Sequence, residues 1–242
     1  MSGELCSICG ERLFSFGEPS GPTTGNNGAA PDAAICGLCR RARPHFELAV
    51  AFGSYDGTLR ELLHLLKYEG VRPVAGLLGG LMAQSIDAAA LADRDLMVVP
   101  VPLHGSRRSQ RGFNQAELLA KTAVRNLGRD WKVQTECLRR VRPTTSQTGL
   151  TRHQRRANVR GAFRVQRSSE VTGRQILLID DVLTTGTTAA ECARVLKRAG
   201  ARQVFVATVA RVLKAENFHV PTGGETGLRV ERSDERPSSF LG

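Results

Sequence analysis

Aromatic side chains supply only 5% of this 242-residue chain, and Trp131 is its one tryptophan. Platforms on which successive bases stack are therefore scarce, and the composition does not describe a dedicated single-strand binder. No run of 18 apolar residues occurs, so neither a membrane span nor stable membrane insertion is expected. The opening Met1-Ser-Gly-Glu-Leu-Cys-Ser-Ile-Cys9 has neither the basic start nor the apolar stretch of a secretion signal, which makes a cytoplasmic protein the expectation. Gly-x-x-x-x-Gly-Lys-Ser/Thr is missing, which excludes a P-loop, and no Gly-x-Gly-x-x-Gly turn marks a dinucleotide fold. Internal repeats are absent as well.

What remains is a chain with a 41% hydrophobic fraction, enough for a core, and a formal net charge of +11. That charge favours polyanions or phosphorylated ligands. The most informative segment is Gln175-Ile-Leu-Leu-Ile-Asp-Asp-Val-Leu-Thr-Thr-Gly-Thr-Thr-Ala189. Four apolar residues read as a buried parallel strand that ends in two carboxylates, Asp180 and Asp181. The turn that follows leads into a helical pattern from Ala189 to Lys197. A strand tip feeding a helix N-terminus is where open α/β sheets bind anions. The backbone N–H groups of Leu183, Thr184, Thr185, Gly186, Thr187 and Thr188 are placed to cradle a phosphate, with threonine hydroxyls as extra donors. The two acids would repel that phosphate. They suit sugar hydroxyls or a divalent cation instead.

A second unit of the same kind starts at the apolar strand Leu96-Met-Val-Val-Pro-Val101. It continues into a basic loop over residues 102–112, and a helix resumes at Phe113. Arg107, Arg108 and Arg111 offer paired donors suited to a diphosphate, although a solvated basic turn has the same composition. Residues 139–164 carry eight arginines and no acid. Such a run repels itself unless an anion neutralises it. Its Thr, Ser, Gly and Pro content reads as a mobile hairpin or lid, including Arg142, Thr145, Gln147, Arg152, Arg155 and Arg156. A lid could close over pyrophosphate and exclude water; a nucleic-acid-binding surface is the rival reading, and both can hold together.

Elsewhere, residues 47–52 and 203–210 read as strands. Asp56 is placed to cap a helix whose core positions are Leu59, Leu62, Leu63 and Leu66, ended by Lys67-Tyr68-Glu-Gly70. Pro73 opens another helix, reaching about Ala92. His64, Cys137 and Cys192 read as packing or surface residues. Cys6-x-x-Cys9 and Cys36-x-x-Cys39 form two knuckle-like pairs separated by 26 residues. Four such thiolates can surround one zinc ion, and in a reducing compartment that reading outranks two disulfides. With no His in the set and no open position, the zinc would be structural. The expected organisation is a zinc module over residues 1–44, a main domain over 45–212 with its flexible loop at about 140–162, and a polar, disordered tail over 213–242.

The acid pair and hydroxyl loop resemble the ribose-phosphate loop of type I phosphoribosyltransferases. Arg111-Gly-Phe-Asn-Gln-Ala-Glu-Leu-Leu119, with the Thr-x-x-Gln-x-x-Leu wording inside the arginine-rich segment, resembles the ComF (competence protein F) branch of that family. The resemblance implies a Rossmann-like α/β fold with a mostly parallel sheet flanked by helices. It also implies phosphoribosyl pyrophosphate and Mg²⁺ as ligands, Asp180 and Asp181 at the ribose hydroxyls, residues 183–188 round the 5′-phosphate, and Arg107, Arg108 and Arg111 at the pyrophosphate. Purine-salvage relatives carry a further Asp where this chain has Thr184, a departure that argues against a hypoxanthine- or guanine-type enzyme. The branch is linked to natural transformation, so single-stranded DNA and a DNA-uptake helicase are implied partners. The alternative is a non-enzymatic competence protein that binds DNA or the helicase and keeps the ligand loop.

Overall fold

A computed structural model describes residues 4–13, 34–144 and 151–213. In chain order its strands are β1 (Leu48–Ser54), β2 (Leu96–Pro100), β3 (Leu138–Arg140), β4 (Phe163–Val165), β5 (Gln175–Leu183) and β6 (Gln203–Arg211). The helices are α1 (Gly37–Arg41), α2 (Gly57–His64), α3 (Val74–Ala88), α4 (Gly105–Arg111), α5 (Gln115–Leu127), α6 (Arg152–Val159), α7 (Ser168–Val171) and α8 (Thr187–Arg198). A π-helical turn, Leu65–Glu69, joins α2 to α3.

The main sheet runs β1–β6–β5–β2, parallel throughout. Its strands are apolar without alternation because both faces are covered. Ile176 and Leu178 of β5 pack with Ala189, Cys192 and Leu196 of α8. Leu177 and Ile179 pack with α3 and α5 through Leu78, Met82 and Leu119. Gly79 lets α3 approach α5 closely, since a Cβ there would lie 2.6 Å from that of Thr122. Cys137 and Cys192 are buried in the core, while His64 sits at the surface, 3.5 Å from Glu69.

The connections create a crevice. β5 leads into α8 on one face, whereas its neighbour β2 leads toward α5 on the other. Adjacent strands whose exits diverge in this way make the topological switch point at which open α/β sheets bind ligands.

Several boundaries differ from the sequence expectation. The basic segment after β2 is not a loop but the short helix α4. The side chain of His104 accepts from the Ser106 N–H at its start, and Gly112, at φ 73°, closes it. It buries no side chain, so apolar periodicity could not reveal it. Asp56 occupies the N-cap of α2 but makes no side-chain capping bond. Gly70, in the left-handed conformation, ends the π turn, and α3 stops at Ala88 rather than near Ala92. The arginine-rich segment rests on an antiparallel β3–β4 pair with α6 between its arms. Thr145 and Gln147, the long loop between the cysteine pairs and the tail beyond residue 213 lie outside the described residues.

Candidate functional site

β2 ends at Pro100, opposite Ile179, and β5 runs on past it. Asp180 and Asp181 therefore emerge at the switch-point crevice, lining a cavity of about 210 Å³. Asp181 is 5% exposed; Lys67 Nζ, from the π turn, lies 3.0 Å from its Oδ1, while Oδ2 is buried without a partner among the described residues. Asp180 keeps some surface open to the cavity and accepts the Asp181 N–H at 2.9 Å. Burial first, and then the charge of Asp181, raise its pKa to about 7, against the pull of that N–H, Lys67 and Arg140. Burial acts to lower the Lys67 pKa, but the Asp181 charge outweighs it and the net shift is upward. The two carboxylates thus share a site that favours one more cation or hydrogen-bond donor.

Beyond the acids the chain turns through Thr184, Thr185 and Gly186 into α8. Gly186 adopts φ 71°, a left-handed conformation that costs other residues about 1–2 kcal/mol. Among the described residues no side chain caps α8, and the positive end of its dipole points at this turn. Thr187 is buried at the loop's end, its hydroxyl 3.0 Å from that of Thr185. Leu183, Thr184, Gly186, Thr187 and Thr188 line the acid cavity, while Thr185 faces the larger space behind the loop.

The arginines divide by position. Arg107 and Arg111 line the acid cavity; Arg111 also lies 5.2 Å over the Tyr68 ring and donates to Gln115 at 3.1 Å. Arg108 does not join them: it is 62% exposed and lies 3.9 Å from Glu117. Arg155 reaches the loop, donating to the Thr184 hydroxyl at 3.3 Å, and Arg156 borders the larger cavity. Arg142 instead donates to the Asn158 and Arg160 carbonyls at 3.0 and 2.9 Å, tying the arms of its hairpin together. Arg152 opens α6.

Two site residues escaped the sequence reading. In the sequence Lys67 reads only as part of a helix end, yet it follows Leu63 by four residues, a core-spaced position where a lysine needs an explanation. Arg140 was one of eight arginines in a basic run. It is 9% exposed, lines the acid cavity, lies 5.3 Å over the Phe163 ring, donates to Thr144 and leaves its Nε without a partner among the described residues. Burial, then the like charge of Arg107, lower its pKa. A strand in which Leu138 and Arg140 share one face was the available signal.

Leu183, Thr184, Gly186 and Thr187 also wall a second cavity of about 1280 Å³, between α6, α8 and the N-terminal knuckle. Its two carboxylates are both engaged: Glu11 with Arg211 at 2.9 Å, and Glu191 with Arg194 at 2.7 Å and the Gly161 N–H at 2.8 Å. Among the described residues, Arg43, Arg156 and Arg160 of this lining have no acid at ion-pair distance. The space is strongly electropositive.

At its rim the sulfurs of Cys6, Cys9, Cys36 and Cys39 all lie within 4.8 Å of one another, with Cys9 and Cys36 at 3.6 Å. Tetrahedral zinc with Zn–S near 2.3 Å needs sulfurs about 3.8 Å apart, so the set fits that ion. Burial raises the Cys6 pKa, but N–H donors from Cys36, Cys9 and Ile8 outweigh it and bring it to about 7. Cys9, mainly through burial, is raised to about 11, and Cys39 is raised further by burial and by its Cys9 neighbour. Bound as thiolates, the four could hold one metal ion between them.

An acid pair at a switch point, a hydroxyl loop leading into α8 and flanking arginines thus share one crevice of a parallel α/β sheet. The phosphoribosyl transferase domain family matches residues 78–220, and the chain belongs to it. Within that family it falls in the ComF branch. It is 35% identical over 215 residues to the DNA utilization protein YhgH of Salmonella typhimurium, covering 86% of this chain and 91% of that protein. To competence protein F of Haemophilus influenzae it is 32% identical over 213 residues, covering 86% and 90%. Competence protein ComFC of Bacillus subtilis is 28% identical over 153 residues, 61% of this chain and 57% of that one.

Proposed function

We infer that this chain binds phosphoribosyl pyrophosphate with Mg²⁺ and acts in the handling of DNA taken up by the cell, with transfer at ribose C1′ as its reaction. The observation that carries the ligand reading is the single cavity of about 210 Å³ that gathers Asp180, Asp181, the hydroxyl loop, Arg107 and Arg111. Asp180 and Asp181 would hold the ribose hydroxyls, and residues 183–188 the 5′-phosphate on the α8 N-terminus. Arg107, Arg111 and Arg140 would face the diphosphate, with Arg155 bracing the loop at Thr184. The partnerless Asp181 Oδ2 fits a hydroxyl donor or a cation in this place. Mg²⁺ bound with the diphosphate would neutralise the leaving charge. No protein nucleophile is required: the residues orient the ribose, stabilise departing pyrophosphate and keep water away. A structural zinc in the residue 1–44 module would sit ahead of the transferase domain over 45–212. The DNA setting rests on the names of the relatives above.

Calorimetric titration of phosphoribosyl pyrophosphate, with and without Mg²⁺, tests the reading. Binding by the wild type that is lost in Asp180→Asn/Asp181→Asn supports it. No binding by folded, zinc-loaded wild type refutes it.

The electropositive cavity of about 1280 Å³ favours a second, compatible reading, a single-stranded DNA contact. Anisotropy titrations with a labelled oligonucleotide should then weaken steeply as salt rises. Salt-insensitive or absent binding removes this reading and leaves the first untouched.

A further inference from the structure

Arg211 is the last residue of β6, and its backbone is fixed on both sides. It pairs with Leu183 of β5 and Ser54 of β1. Its carbonyl accepts the Tyr55 N–H at 2.7 Å, and the next N–H, of Val212, donates to the Leu183 carbonyl at 2.9 Å. Leu183 is where the hydroxyl loop begins. The Arg211 side chain runs the other way, into the cysteine knuckle. It donates to the Cys9 carbonyl and to Glu11 Oε2 at 2.9 Å, and its Nη2 lies 3.7 Å from Cys9 Sγ. Its side chain is 8% exposed and that of Glu11 11%, and Nε is buried with no partner among the described residues.

We propose that Arg211 is a positioning residue that couples metal held by the four cysteines to the order of the hydroxyl loop. A divalent ion with four thiolates leaves a net charge of about −2 in a buried setting. The guanidinium beside Cys9 compensates that charge, and its hydrogen bonds orient the ligand from outside, as outer-shell groups of metal sites do. When the metal leaves, the guanidinium keeps Glu11 but loses the metal–sulfur cluster that it orients through Cys9. The knuckle then loosens against the sheet, to which it is also tied by the Ala49 N–H donating to the Ile8 carbonyl at 2.7 Å. The loss reaches Leu183 through one backbone ladder. Loop order in turn governs whatever ligand the loop holds, and only this last consequence rests on the phosphoribosyl reading.

The test uses the full chain, zinc-loaded and zinc-stripped. Chelator competition should show Arg211→Met binding zinc about 10- to 100-fold more weakly than wild type. Arg211→Lys, which keeps the charge but not the two-pronged geometry, should fall between. In wild type, zinc removal should speed amide exchange at residues 183–187 while leaving α5, on the opposite face, unchanged. Wild-type zinc affinity in both variants overturns the outer-shell role. Unchanged loop exchange on zinc removal overturns the coupling. If Arg211→Met does not fold, Arg211→Lys and the stripped wild type decide the matter. Neither readout uses phosphoribosyl pyrophosphate, so a chain that fails to bind it refutes the ligand reading alone.

Discussion

Replacing Lys67 with Met keeps most of the apolar stem and removes the ammonium that lies 3.0 Å from Asp181 Oδ1. The side chains are 15% and 8% exposed, so this is a buried pair rather than a surface one. Breaking a buried pair from one side costs about 3–5 kcal/mol, because the remaining charge is left uncompensated. The lower end applies here, since the cavity admits water and burial raises the Asp180 pKa to about 7, so that the acid pair is not fully charged at neutral pH. A loss of about 3 kcal/mol at neutral pH corresponds to a urea midpoint lower by about 1.5 M, taking a slope near 2 kcal/mol/M. The double variant with Asp181→Asn should recover much of that loss, since no buried charge is then orphaned. A loss under about 1 kcal/mol, the range of exposed ion pairs, with no recovery in the double variant, would falsify the assignment of Lys67 as counter-ion to the acid pair.

Three further outcomes are expected. Asp180 has a folded pKa of about 7 against an ordinary 3.8, so the folded chain holds its proton more tightly than the unfolded one. Its stabilising contribution is therefore full below about pH 4 and is lost as pH rises through 7. In metal-free buffer, urea midpoints should fall over that window by the equivalent of about 2–4 kcal/mol, and Asp180→Asn should flatten the profile. Arg140→Met removes a buried guanidinium with an unpaired Nε, so thermal stability should hold or rise while phosphoribosyl pyrophosphate affinity falls at least about tenfold. In Gly186→Ala the new Cβ meets nothing closer than 3.9 Å, and the cost of about 1–2 kcal/mol in a thermal melt is that of φ 71° alone; affinity for the ligand should fall more than stability does, because the N–H groups of the loop are re-aimed.

The parts of this molecule visible in its sequence are contiguous ones. Ile176 to Ile179 form an unbroken apolar run because α8 covers one face of β5 and α3 and α5 the other. The acids and threonines that follow lie on one strand and one turn, and their order along the chain is their order in space. Lys67 and Arg140 are different. Each reaches Asp180 and Asp181 from a separate segment, and only the path of the chain round the switch point brings them together. The π turn that carries Lys67 has no propensity signal, and turns of this kind recur at functional sites. α4 was invisible for another reason: its stability comes from the His104 cap and Gly112 rather than from burial.

The hydroxyl loop is held from several directions at once. Thr184 accepts from Arg155 of α6, Leu183 is fixed through Val212 to the strand end that carries Arg211, and Gly186 delivers the chain into α8. The same residues wall both cavities. A ligand in the small cavity and an anion in the large one would therefore press on opposite sides of one short turn. Their affinities need not be independent, and by linkage any effect of one on the other must be reciprocal. Titrating an oligonucleotide into chain saturated with phosphoribosyl pyrophosphate, and then reversing the order, measures that coupling directly. Equal factors in the two directions are required on thermodynamic grounds, and a factor of one in both would mean that the loop separates the two sites without joining them.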